Sequence, residues 1–473
     1  MTDQIPNVLA ARYASPEMVS IWSPRQKVVT ERRFWITVLE AQRELGISIP
    51  EGVVADYEAV LDDVDLESIR SRERVTRHDV KARIDEFCHL AGHQHIHKGM
   101  TSRDLTENVE QLQIRQALTL VRDRCIALLV QFAERARVHE DLVIAGRSHN
   151  VPAQPTTLGK RFATAGEELL LAFEHLEHVL AALPLRGLKG PVGTQQDLLD
   201  LFSGDEEKVD RLEQIVARSL GFATTSGSVG QVYPRSLDFA VVAALARLAS
   251  GPANLAKTIR LMAGADLATE GFGEGQVGSS AMPHKMNSRS SERITGLTTI
   301  LGGHVTMAHG LTGDQWNEGD VSDSVVRRVV LPDAFFAIDG IIETTLTILE
   351  EFRPFPAVIQ WEMQRQLPFL ATTRLLVAAV AAGVGRETAH AAIKRHALAA
   401  AEQMRSGSPA NDMADRIAAD PELPIDPAVL AEIMTTVPPP GRSRSQVDAF
   451  VASVRTVVDR YPSAATYRPQ PIL

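Results

Sequence analysis

Cysteine is nearly absent. Cys88 and Cys125 are the only two in 473 residues and no CxxC spacing occurs. So few thiols cannot build a disulfide framework, and the usage fits a reducing cytosol. Long apolar runs are missing too: no uninterrupted stretch approaches the roughly 18 residues of a membrane-spanning helix. The opening "MTDQIPNVLAARYASPEM" lacks a basic flank followed by an apolar run, so no secretory signal is expected. Positive charge is not in excess. The net charge is −10, which speaks against general nucleic-acid affinity by counterion release. The expectation is a soluble cytoplasmic protein without a membrane or nucleic-acid partner, in which any anionic ligand is gathered by a local basic cluster.

Familiar chemical signatures are lacking as well. The segment "HQHIH" (His93, His95, His97) is the densest group among 14 histidines, but neither HExxH nor a Cys/His pair with zinc spacing accompanies it. It reads as a structural, partly exposed cluster. No GxSxG elbow is present, although "SGSVG" superficially approaches one. "GFGEGQVG" has glycines but no strand pattern before it, so it is not read as a dinucleotide loop. Period-two alternation is almost absent and few strands are expected. No fixed-period repeat or low-complexity segment interrupts the chain.

What is present is helical. Apolar residues make up 44% and charged residues 23%, an ordinary globular mix, and the length corresponds to about three domains. From Met100 to Ala145 there is no glycine or proline, and Ile114, Leu118, Val121, Cys125, Leu128 and Phe132 recur at helical spacing. Thr101 with Asp104 three residues later marks a capping-box-like start. The pattern predicts a helix over 102–139, roughly 55 Å long, in a long bundle. Further helices are expected over 158–183, 237–249, 253–268, 289–301 and 325–349. "VPPPGRSRSQV" reads as a loop entering a final helix, with Arg442 and Arg444 on a solvated face.

Chemistry in such a bundle belongs at helix ends and in the polar islands between them, at 75–79, 99–104, 146–157, 187–194, 227–235, 273–288 and 313–324. "TRHDV" sets Arg77, His78 and Asp79 side by side, equally readable as a solvated helix start. "GRSHN" places His149 after the long helix, where an imidazole could donate a proton; taken singly it reads as a surface histidine. "QWNEGDVSDSVVRR" supplies Glu318, which could orient a histidine, and Ser324 with Arg328 on one helix face, a reasonable anion clamp or a surface salt-bridge helix. "GQVGSSAMPHKMNSRS" (275–290) carries Ser279, Ser280, Lys285 and Asn287. A serine acts as a base only where lysine and backbone N–H groups stabilise its alkoxide.

"GSSAMPHKMN" resembles the signature loop of the fumarase/aspartase superfamily. "RYASPEM", "TRHDV", "KGMTSRD", "GRSHNVPAQPTTLGKR", "RGLKGPVGT", "SVGQVYPRSLD", "WNEGDVSDSVVRR" and "QLPFLATT" together are similar to the adenylosuccinate lyases, in that family's order and across nearly the whole chain. The resemblance implies an all-α fold of three helical domains (1–111, 112–364 and 365–473). It also implies a homotetramer with a twenty-helix core and active sites shared between three subunits. It implies β-elimination of fumarate from adenylosuccinate, giving AMP, and from SAICAR, giving AICAR, with no metal or organic cofactor. By matching position, Ser279 would be the general base and His149 the general acid. Lys285 and Asn287 would hold the succinyl carboxylates and the carbanion-like intermediate, with His78 assisting and Glu318 tuning the histidine pair. Arg12, Tyr13, Arg293, Ser324 and Arg328 would bind phosphate, and Arg77 and Asp79 the nucleotide. Thr101, Ser102 and Gln231 would bind the carboxylate end. The muconate cycloisomerases share much of the signature loop but not "RYASPEM" with Ser324/Arg328. Two departures stand out: Ser288 replaces the signature's last proline, which would loosen the loop's far end, and Ser148 replaces a threonine.

Overall fold

The glycine- and proline-free stretch forms one helix, Ser102–Val138, of 37 residues, about 54 Å long. In the computed structural model, which describes residues 6–271, 281, 282 and 284–470, this helix is the axis of the molecule. Asp104 accepts the Thr101 N–H at 2.8 Å, satisfying a donor at the helix start as a capping box does. Ile114, Leu118, Val121, Cys125, Leu128 and Phe132 are all buried, each large side chain worth about 1.5–3 kcal/mol. The burial extends beyond that stripe. Glu107, Asn108, Gln111, Gln113, Arg124 and Gln131 are buried too, so the helix is enclosed on most sides.

Against it pack Leu158–Ala182 and Ser322–Glu351, and on those two pack Ser236–Leu248, Ser250–Gly264 and Arg289–Gly310. Leu297 meets Gly340, so Arg289–Gly310 and Ser322–Glu351 run antiparallel. Pro332 lies inside Ser322–Glu351, where it removes one backbone donor. The run Ser236–Gly264 is long and apolar enough to cross a bilayer, yet 56% of its apolar window is buried inside the fold. It is a bundle element broken at Ala249. The N-terminal helix Pro24–Glu44 adds Phe34, Trp35 and Leu39 to the same core, and the final helix Ser443–Arg460 returns to it with Val447, Phe450 and Val454. Arg444 pairs with Glu140 and Asp141 at the surface. A second core, including Leu375, Ala389, Ile393, Ile417 and Ile433, gathers the segment 371–434. The chain is therefore all-α, with two small antiparallel strand pairs among the described residues.

One of these pairs occupies an island expected to be a loop. Val143–Ser148 and Val151–Thr157 form a hairpin. Gly146, Pro152 and Pro155 obscure its alternation in the sequence, and its register shifts between Gly146 and Arg147, so no regular period was there to be read.

Candidate active site

At the N-terminal end of the long helix, the islands 75–79, 99–104, 227–235 and 313–324 converge. His78 caps helix Asp79–Ala91, its Nδ1 accepting the Lys81 N–H at 3.2 Å. That bond leaves the neutral ring with its proton on Nε2, which lies 3.2 Å from Ser102 Oγ. His78 is about half exposed, so its ring faces open space. Arg77, one residue earlier, closes the preceding helix in a left-handed conformation, φ 53°. Asp79 is committed to Arg83 at 2.6 Å and to the Val80 N–H. Burial alone would raise its carboxyl, but Arg83 and the backbone hold it below its ordinary value.

His97 joins this end although "HQHIH" reads as a structural cluster. His93 and His95 stay together, their ring centroids 6.3 Å apart, pairing with Asp56 and Lys98, whereas His97 Nδ1 accepts from Trp35 Nε1 at 3.0 Å. Burial pushes His97 down to about 4, with His78 and Lys81 acting in the same direction against Asp104. It is thus a neutral ring with its proton on Nε2.

A buried ionic network holds these loops. Glu107 accepts from Arg235 at 2.8 and 2.9 Å and from Arg103 at 2.9 Å. Arg327 reaches Glu110 at 2.6 Å and Asp238 at 2.7 Å. Arg103 also donates to Ser324 Oγ at 3.1 Å and to the Asp320 carbonyl at 3.3 Å. The Gln231 N–H donates to the Glu318 carbonyl at 2.6 Å, and a Cβ on Gly230 would sit 2.4 Å from that oxygen; only glycine permits this approach. One end of the bundle therefore gathers His78, Thr101, Ser102, Gln231, Glu318 and Ser324.

His149 is elsewhere. It and Asn150, at φ 52° and 61°, are the central residues of the two-residue turn joining the hairpin strands, a type I′ geometry. The hairpin follows the far end of the long helix, roughly 50 Å from Ser102 by the helix rise. The histidine pair that the sequence set in one site is not joined within one chain.

The phosphate-binding set also divides. Arg293 lies over Tyr13, its guanidinium carbon 5.7 Å from the ring centroid. Burial lowers its pKa; Tyr13 opposes that, while Arg12 and Arg289 repel it. Arg289 is a cation the sequence reading missed. The Tyr13 carbonyl lies 2.8 Å from where a Gly340 Cβ would be. Arg328 is 12 residues before Gly340 on the same helix, about 18 Å away. Within one chain, Arg12, Tyr13 and Arg293 cluster, and Ser324 with Arg328 do not join them.

Lys285 and Asn287 line a cavity of about 810 Å³ with Lys257, Arg260 and Ser288. Leu261 lines both this cavity and a smaller one of about 280 Å³ beside Asn150, Arg147 and Arg161. Ser279 and Ser280 lie outside the described residues. Ser288 does not leave the far side of the signature segment unheld: Glu270 accepts the Ser290 and Ser291 N–H groups at 2.7 and 2.9 Å, pinning the start of Arg289–Gly310 where a proline would otherwise stiffen it.

A family model described as lyase matches residues 15–302, and one described as adenylosuccinate lyase C-terminus matches 368–450. The adenylosuccinate lyase of Schistosoma mansoni is 33% identical over 98% of this chain and 96% of its own length. That of Saccharomyces cerevisiae is 33% identical over 95% of this chain and 94% of its own. The 3-carboxy-cis,cis-muconate lactonizing enzyme of Pseudomonas putida superposes with a TM-score of 0.83 at 20% identity, covering 95% of this chain and 99% of that one. Fumarate lyase from Mesorhizobium sp. BNC1 gives 0.79 at 20% identity, covering 93% and 98%. At that identity these two structures speak for the fold alone. Matches of this extent to both halves of the chain make it a member of the adenylosuccinate lyase family, within the fumarase/aspartase superfamily.

Proposed function

We propose that this C–N lyase removes fumarate from adenylosuccinate, leaving AMP, and from SAICAR, leaving AICAR, in the cytoplasm. Ser279 takes the Cβ proton, the electron pair left behind forms the Cα–Cβ double bond, and the C–N bond breaks. His149 supplies a proton to the departing nitrogen. Lys285 and Asn287 hold the carboxylates while negative charge builds next to them, where a cation matters most. Arg12, Tyr13 and Arg293 take the phosphate of one substrate, with Ser324 and Arg328 completing the clamp. Thr101, Ser102 and Gln231 meet the carboxylate end. Arg77 and Asp79 flank the nucleotide, while His78, oriented by its cap bond, assists with Glu318 nearby.

The observation carrying this reading is the separation along the long helix: Ser102 and His78 at one end, His149 beyond the other. A site using all of them is assembled from several chains, and a homotetramer with each site shared by three subunits meets that need. The divisions at 111 and 364 are proposed as the domain boundaries; the separate core over 371–434 supports the second, whereas 111 falls within the long helix and Ser443–Arg460 packs on the central core. The test is complementation. Ser279→Ala and His149→Ala assemblies, each nearly inactive, are mixed under conditions of subunit exchange and fumarate release from adenylosuccinate is followed. Partial recovery is expected. Exchange without recovery refutes the shared site, and full turnover by either variant alone refutes its role.

A further inference from the structure

The turn presenting His149 is held from a distant part of the chain. His149 and Asn150 both lie in the left-handed region, φ 52° and 61°, at a cost of about 1–2 kcal/mol for an ordinary residue bearing a Cβ and less for asparagine. Turns of this type favour glycine at the second position, and neither residue is glycine. Arg147 compensates. Its Nη1 donates to the Asn150 carbonyl at 3.0 Å, closing the turn, and its Nη2 is ion-paired with Glu362 on helix Pro356–Leu370. Arg161 approaches from helix Leu158–Ala182 and donates to the Ala145 carbonyl at 3.4 Å. Arg147 and Arg161 line one cavity of about 280 Å³. The two guanidiniums repel there while Glu362 attracts both, and its ion pair with Arg147 accompanies the conformation in which Arg147 reaches Asn150. A planar fork bridges two acceptors in fixed directions, which an ammonium cannot reproduce. The Arg147 and Glu362 side chains are 27% and 15% exposed, sheltered enough for the pair to hold.

We propose that Glu362 and Arg147 are positioning residues for His149, a brace from the C-terminal helices that sets the imidazole at the angle proton transfer requires. The proposal rests on the reading of His149 as the proton donor. Its test measures fumarate release from adenylosuccinate by the assembled enzyme for E362Q, R147K, H149A and the double variant E362Q/H149A, the last two at high enzyme concentration so that residual rates are read. A brace acting through His149 predicts that E362Q and R147K each lower kcat about tenfold with KM within about twofold. It also predicts that E362Q costs less than about twofold more once His149 is gone, as coupled residues are non-additive. Equal losses with and without His149, a change confined to KM, or unchanged kcat in both single variants each overturn the proposal. R147K carries the test should E362Q fail to fold. Wild-type turnover by H149A refutes the donor assignment itself, and the brace with it; a surviving donor assignment with unaffected E362Q and R147K refutes the brace alone.

Discussion

Replacing Glu107 with glutamine tests the ionic network under the candidate site. Its carboxylate is fully buried and accepts two bonds from Arg235, one from Arg103 and the Tyr233 N–H at 3.2 Å. Glutamine keeps one acceptor oxygen and turns an NH₂ toward guanidinium donors. Removing one partner of a buried pair costs about 3–5 kcal/mol. Arg235 retains Asp323, and Arg327 retains Glu110 and Asp238, so the lower end, about 3 kcal/mol, applies. An unfolding entropy near 2.1 cal/mol/K per residue amounts to roughly 1 kcal/mol/K for this chain, so Tm falls by about 3 °C. Scanning calorimetry at one fixed scan rate reads the shift, because unfolding of an enzyme this size is rate-dependent. Glu387→Gln is the control: its pair with Arg386 is 68% and 80% exposed, and such pairs contribute little. Burial would raise the Glu107 carboxyl, but Arg235 and Arg327 hold it below its ordinary value. A depressed carboxyl stabilises above its unfolded pKa and loses that contribution as pH falls, so the gap between wild type and variant closes in acid. A Glu107→Gln melt within about 1 °C of wild type at neutral pH would refute the reasoning.

Three further outcomes are expected. Glu343, accepting from Tyr467 and the Gln470 N–H, is raised by burial to about 7. A raised carboxyl gives stability that is complete below its unfolded value and lost as pH rises through 7, so wild type should lose on the order of 3 kcal/mol by pH 8. Glu343→Gln should lack that component, and parallel Tm–pH curves for the two would count against it. Asn150→Val, placing a β-branched residue at φ 61°, should cost about 1–2 kcal/mol locally and lower kcat, whereas Asn150→Gly should melt at or above wild type. Arg293→Met should raise KM for adenylosuccinate at least about tenfold while leaving Tm within about 2 °C; unchanged KM would remove Arg293 from the phosphate site.

The candidate residues were legible in the sequence to different degrees. Polar islands stood out because glycine and proline are disfavoured in helix interiors and gather between helices, so His78, His149, Glu318 and Lys285 could be singled out as chemistry-bearing. His97 could not be separated from its neighbours in "HQHIH", because the Trp35 bond that makes it a neutral ring comes from a helix about 60 residues earlier. Arg289 has no assigned motif position, and its effect on Arg293 comes from the fold. The hairpin escaped notice because its prolines and bulge break the alternation on which strand reading depends.

By itself, the sequence determined the helical class, the start and length of the long helix, and the family. These follow from local rules: spacing of apolar side chains, capping chemistry and short motifs. Only the tertiary structure decided which of the singled-out residues share an end of the bundle. It drew His78, Ser102, Gln231, Glu318 and Ser324 together, set Arg12, Tyr13 and Arg293 in a second group, and left His149 on a strained turn at the far end. The physical reason is the rigidity of a 37-residue helix. Its hydrogen bonds hold residues near its ends tens of ångströms apart, a distance that no motif records.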